Sequence, residues 1–176
     1  SGFSFARPIR WLLALMDETV IPVQVASLQA GRLTWGHRVH GPGPWEVPTA
    51  QDYFALARDK GRVILDRLER RQLIQNQGDS LAREQGAHVV WKDDLLEEVA
   101  SLVECPKPIL GRFDRRYLEL PKEVLLTSME SHQKSFGLED ASGYLQPFFL
   151  CTLNLEPKDL DLVRVGWERV LKARLE

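Results

Sequence analysis

The chain has 176 residues and a mass of 20.1 kDa, enough for one domain, or one domain with a small appendage. No window approaches the ~20 consecutive apolar residues of a membrane helix, and Trp11–Met16 is the longest candidate, so neither a membrane span nor a secretory signal is expected. A net charge of −2, with a slight basic bias confined to the first half, excludes a general polyanion binder.

Two cysteines, Cys105 and Cys151, make no disulfide framework and suit a reducing cytoplasm as small apolar fillers. The first residue is not Met, and Glu176 falls inside a predicted helix. Both features lead to the expectation of a piece cut from a longer chain.

The predicted elements begin with a short buried helix. Pro8 suits a first turn, and the apolar run after Arg10 leaves almost no polar face. Val20 to Ala26 alternates and reads as a strand, with Pro22 placing it at an edge or an end. Gly31 marks a turn before a second strand over 32–35. Gly36 to Pro44 is a rigid irregular loop of Gly, Pro and two histidines.

Thr49 with Asp52 resembles a capping box for a helix that runs to about Lys60 and stops at Gly61. A longer charged helix covers about 64–85 and is closed by Gly86, with Asp66, Arg67, Glu69, Arg70 and Arg71 as a solvated face. Val89–Trp91 is a short strand. Asp93 or Asp94 caps a helix to about Leu102.

Ile109–Phe113 is a strand, and Pro121 opens a helix to about His132. Residues 136–138 and 144–153 form a hairpin around Asp140–Gly143. Asp159–Leu175 is a helix with Leu160, Val163, Trp167, Val170 and Leu171 on one face. Short, hairpin-linked strands without regular βα alternation predict an α+β fold, a mostly antiparallel mixed sheet packed with several helices.

The chain lacks the phosphate-loop, dinucleotide and nucleophile-elbow motifs. Gly41-Pro42-Gly43-Pro44 is no phosphate cradle, because prolines remove the amide donors. His37 and His40 lack the i,i+4 helical spacing of zinc proteases, and no Cys or His spacing supports zinc with Cys105 and Cys151. Their alternatives are a hydrogen-bonded loop brace, or a loop that presents Arg38 to a phosphate.

His132-Gln133-Lys134 ends a predicted helix. It either complements the helix dipole or forms a polar patch for RNA or a partner, with Thr127 and Ser128 nearby. Ser128 and His132, four apart, invite a hydrolase reading that lacks an orienting carboxylate. Arg112, Arg115 and Arg116 interleave with Phe113 and Tyr117, a pattern that suits stacking on unpaired bases or a plain solvated turn. Of the five tryptophans, Trp45 is the one expected at a contact surface.

Five ordered blocks carry a resemblance. Arg7-Pro8-Ile9-Arg10-Trp11-Leu12-Leu13-Ala14-Leu15 and Gly36-His37-Arg38-Val39-His40-Gly41-Pro42 are the first two. Thr127-Ser128-Met129-Glu130-Ser131-His132-Gln133-Lys134-Ser135-Phe136 follows, then Asn154-Leu155-Glu156-Pro157-Lys158-Asp159 and Glu168-Arg169-Val170-Leu171-Lys172-Ala173-Arg174-Leu175. Together they resemble the β subunit of bacterial glycyl-tRNA synthetase over nearly the whole chain. Trp167 stands where that pattern has Asn, Val39 replaces an aromatic, and Ser135 replaces a larger residue.

The resemblance implies a two-subunit ligase that joins glycine to its tRNA using ATP with Mg2+ at the α subunit, in the cytoplasm. The β subunit recognises tRNA and supports the assembly. This piece is then an α+β domain over 1–158, for tRNA recognition or assembly, followed by a helix over 159–176 leading into the next, HD-type region. It is also similar in general terms to the substrate-reading module of the phenylalanine enzyme's β subunit.

No catalytic residue, metal or cofactor is carried over to the piece itself. The implied partners are the α subunit, tRNA(Gly) and the remainder of the β subunit, with no membrane. Expected tRNA contacts are His37, Arg38, His132, Gln133 and Lys134, then Arg112, Arg115 and Arg116. The rival readings are an editing-type hydrolase acting on mischarged tRNA and a purely structural docking module.

Overall fold

The computed structural model describes residues 9–176. Phe3, Phe5, Arg7 and Pro8, and with them the start of the first predicted helix, lie outside the described residues. The chain divides into two compact units, 1–65 and 66–176. The sequence reading draws its one boundary at 158.

The first unit is built from very short strands and one helix. β1 (Leu12–Leu13) pairs in parallel with β5 (Leu28–Gly31), which pairs antiparallel with β4 (Gln24–Val25). β2 (Leu15–Met16) folds back on β3 (Thr19–Val20), and β6 (Leu33–Thr34) pairs with β7 (Trp45–Glu46). The expected helix over 11–16 is therefore two strands. An apolar run of this length is ambiguous between helix and strand, and tertiary pairing with Ala30 and Gly31 decides it.

The run is not buried either, since Trp11 is 39% and Met16 65% exposed. Trp45, expected at the surface, is half-buried in β7. Pro22 divides the predicted 20–26 strand into β3 and β4.

α1 (Asp52–Asp59) has Gln51 at its N-cap with no side-chain cap, so Thr49, the expected N-cap, braces the turn before the helix instead. Thr49 Oγ1 donates to Asp52 Oδ2 at 2.8 Å, and Asp52 N–H donates back to Thr49 Oγ1 at 3.3 Å.

The second unit is a four-stranded antiparallel sheet between two helix pairs. α2 (Arg67–Glu84) is capped by Asp66, whose Oδ1 accepts from Leu68 N at 2.7 Å. β8 (His88–Val89) leads to α3 (Asp93–Leu102). Lys92 occupies the N-cap of α3 without a side-chain cap. Asp93 and Asp94 thus sit in the first turn, favourable for the helix dipole, and do not cap.

β9 (Lys107–Arg112) and a 3-10 turn over Arg115–Glu119 precede α4 (Lys122–Gln133). β10 (Phe136–Glu139) and β11 (Leu145–Leu153) form the predicted hairpin. Asp140 Oδ1 accepts from Ser142 N and Tyr144 N in its turn, and Gly143 supplies a φ of 79°. α5 (Leu160–Leu175) is capped by Asp159, whose Oδ1 accepts from Leu162 N at 2.9 Å. The sheet order is β8-β10-β11-β9.

Period-2 alternation along β11 divides its side chains between two cores. Leu150 joins Phe136, Leu138, Ile74 and Leu96 under α2 and α3. Phe149 and Cys151 join Ile109, Leu125, Met129 and Leu171 under α4 and α5. Burying a side chain such as Leu171 contributes about 1.5–3 kcal/mol. α5 is thus an integral part of the second unit.

The face of α2 expected in solvent is partly an α2–α3 contact. Arg70 Nε donates to the Ala100 carbonyl at 2.8 Å. Arg71 reaches Asp93 at 2.7 Å and Glu97 at 3.1 Å.

Candidate functional site

In the first unit, the 36–44 loop is braced from within. Gly36 N–H donates to the Gly41 carbonyl at 3.1 Å, and Gly41 N–H donates to the His37 carbonyl at 2.8 Å. His37 N–H donates to the Gly61 carbonyl at 2.6 Å, just after α1. A β-carbon at Gly36 or Gly41 would overlap the Gly61 backbone, which is why both positions are glycine.

The His37 ring is buried, and its Nδ1 accepts from Val39 N and His40 N at 3.2 Å each. His40 stacks on it at a centroid separation of 5.0 Å. His37 is therefore the loop's brace, and Arg38 stands exposed on it.

In the second unit, 132–134 close α4. His132 is exposed in the last turn. Gln133 is buried, and its Nε2 donates to the Trp167 carbonyl of α5 at 3.0 Å. Lys134 takes the left-handed C-cap conformation at φ 52° and pairs with Glu98 at 2.9 Å.

These three residues flank an apolar groove of about 540 Å³ over Val163, Gly166, Trp167 and Val170 of α5. Ser128 is half-buried, and no hydrogen bond joins it to His132 among the described residues. Glu130 is bound to Lys92 instead. The Ser–His pair therefore has neither a mutual hydrogen bond nor an orienting carboxylate.

The arginine cluster is dispersed. Arg112 lies over the Phe148 ring at 5.6 Å. Arg116 donates to the Tyr117 hydroxyl at 2.9 Å and pairs with Asp114 and Glu176. Its guanidinium pKa is raised, first by the Tyr117 hydrogen bond. Arg115 is exposed.

Arg112 and Arg116 border a hollow against Val165, Glu168, Arg169 and Lys172 of α5. The groove beside His132 lies on another face of the same helix. The second unit does not merge the two groups into one basic surface.

Three residues, two of them in the motif blocks, serve as clamps that spacing alone did not reveal. Asn154 Oδ1 accepts from Glu104 N and Cys105 N at 2.7 and 2.9 Å. Glu168 Oε1 accepts from Arg112 N at 2.9 Å. Glu98 neutralises Lys134. The only available signal for Asn154 and Glu168 was their place inside the five blocks, and Glu98 lies outside them.

Among the described residues no group of three or more His, Cys, Asp or Glu side chains is placed to hold a metal ion. Burial pushes the Cys151 thiol pKa far up. No helix among the described residues is long and apolar enough to cross a membrane.

A family model described as "Glycyl-tRNA synthetase beta subunit" matches residues 1–176. This chain belongs to the glycyl-tRNA synthetase beta subunit family. It is 57% identical over 174 residues to a "Glycine--tRNA ligase beta subunit" of Nitratidesulfovibrio vulgaris (strain DP4), covering 99% of this chain and 25% of that protein. A protein of the same description from Moorella thermoacetica is 47% identical over 97% of this chain and 24% of its own length. Another from Hahella chejuensis is 41% identical over 97% and 25%. The chain thus spans about a quarter of the length of the curated relatives it matches.

Proposed function

We propose that this chain is a noncatalytic part of a two-subunit glycine–tRNA ligase that works in the cytoplasm. It helps position tRNA(Gly) and hold the assembly, while ATP with Mg2+ is used at the α subunit. The observation that supports this reading is the beta-subunit family match across residues 1–176, with a relative 57% identical over 174 residues.

The geometry narrows the contacts. A phosphate contact needs a cation held in place and open to solvent. Arg38 meets this on its braced loop, and Arg115 and His132 are also exposed. His37 and Gln133 act through the backbone they fix, and Lys134 shares its charge with Glu98.

The test is aminoacylation by the complete synthetase carrying Arg38→Ala or His132→Ala. The tRNA affinity falls at every salt concentration, and each lost phosphate contact lowers the salt slope by about 1. ATP–pyrophosphate exchange with glycine stays at its original rate. Unchanged tRNA affinity in both variants removes the tRNA-contact reading.

A second reading, assembly alone, is favoured by apolar side chains left open on the first unit. Phe54 is 68% and Val39 61% exposed, and Met16 and Leu33 are open too. Under that reading the same variants leave tRNA affinity intact, and Phe54→Asp releases a partner.

A further inference from the structure

β9 is one of the two edge strands of the four-stranded sheet, and its register fixes which backbone groups point away from β11. Residues of an antiparallel pair alternate between those that exchange hydrogen bonds and those that do not. Phe113 N–H donates to the Pro147 carbonyl at 3.2 Å, so Phe113 faces β11. By alternation Gly111, Ile109 and Lys107 face β11 too. Arg112, Leu110 and Pro108 therefore turn their backbone groups outward.

Two of these three positions are already protected. Pro108 has no N–H, and the Arg112 N–H is taken by Glu168 of α5. Leu110 retains an outward N–H and carbonyl, and neither has a partner among the described residues. Leu110 is half-buried, and its two outward backbone groups are placed to pair with an added strand.

The groups open onto a cleft of about 480 Å³ between Leu81 and Glu84 of α2 and Leu160 and Arg164 of α5. A third wall is Arg112 on Phe148. Two of the cleft's cations are already matched, Lys107 by Glu156 and Arg164 by Asp161. The Arg112 guanidinium has no carboxylate partner among the described residues.

We propose that this cleft is a strand-addition site. It takes an extended segment of the same β-subunit polypeptide, from outside residues 1–176, with a carboxylate side chain set against Arg112. An N–H and a carbonyl offered by one residue match the two backbone groups of a facing residue in a strand. The phosphate–sugar backbone of a nucleic acid carries no such pair.

Two backbone bonds and one ion pair are too few to hold a separate chain. A tethered segment gains a high effective concentration from its linker. The beta-subunit relatives extend far beyond the matched region, which is about a quarter of their length.

The experiment uses the full-length β subunit assembled with its α subunit. A photo-crosslinking amino acid replaces Gln85 at the cleft's rim, and amide hydrogen exchange is read at Leu110. We expect a crosslink to an acidic extended segment of the same chain, with Leu110 exchange as slow as that of Ile109. Arg112→Glu, a surface change, then speeds Leu110 exchange roughly tenfold and leaves Ile109 slow. Fast Leu110 exchange in the intact assembly overturns the proposal, as does a crosslink that goes only to the α subunit or to tRNA.

Discussion

The side-chain amide of Gln133 reaches from the last turn of α4 to the backbone carbonyl of Trp167 in α5, at 3.0 Å. The bond is to backbone, so it does not depend on which side chain stands at 167. Trp167 in place of the expected Asn therefore leaves this clamp intact. The other amide atom, Oε1, is buried without a partner. Gln133→Ala removes this tie between α4 and α5 and opens a cavity, with an expected loss of about 1–3 kcal/mol. Gln133→Met also removes the orphaned oxygen and refills the space, so it costs less. Urea unfolding of the two variants gives the order.

The 36–44 loop separates packing from contact. Gly36→Ala or Gly41→Ala pushes a methyl group into the Gly61 backbone, which is not the end of a flexible side chain. The expected cost is about 1–3 kcal/mol, because the loop or the end of α1 must shift. Arg38→Ala lies two residues away on the exposed side and changes stability by no more than about 0.5 kcal/mol. Thermal unfolding checks both. A tRNA defect in Arg38→Ala with unchanged stability isolates a contact from a fold effect.

Elements with local signals were legible in the sequence. Thr49 with Asp52, the glycines Gly61 and Gly86, and Asp140–Gly143 each fix their turn or helix end through bonds within a few residues. Trp11–Met16 was misread because its pairing partners, Ala30–Gly31 and Thr19–Val20, supply the deciding energy and carry no local mark. Arg70 and Arg71 looked like a solvated face because Ala100 and Glu97, their partners, lie about thirty residues on. At the candidate site the residue choice came from string resemblance. The structure then gives different roles to neighbours, with His37 inside the loop and Arg38 outside it.

Lys134 holds φ at 52°, a left-handed conformation that costs an L side chain about 1–2 kcal/mol. Its ion pair with Glu98 is largely solvated and offsets little of that. Lys134→Gly and Lys134→Ala both lose the pair, but only glycine also relieves the backbone. The glycine variant should therefore exceed the alanine variant in stability by about 1 kcal/mol. Equal midpoints in denaturant would show that the α4 C-cap relaxes when the lysine is removed.

Cys151 sits on β11 within the core under α4 and α5, and desolvation raises its thiol pKa far above the ordinary value. The fold therefore favours the neutral thiol, while the unfolded chain ionises near the usual value of about 8.5. Its contribution is fully present below that pH and is lost progressively as pH rises above it. Cys151→Ala removes this alkaline dependence at the cost of a cavity. The variant is less stable at pH 7, and its stability falls less steeply between about pH 8.5 and 10. Half-buried Cys105 should react with iodoacetamide in the folded chain at a rate that Cys151 reaches only in urea. Parallel alkaline limbs for the two proteins would show that another group governs the high-pH loss.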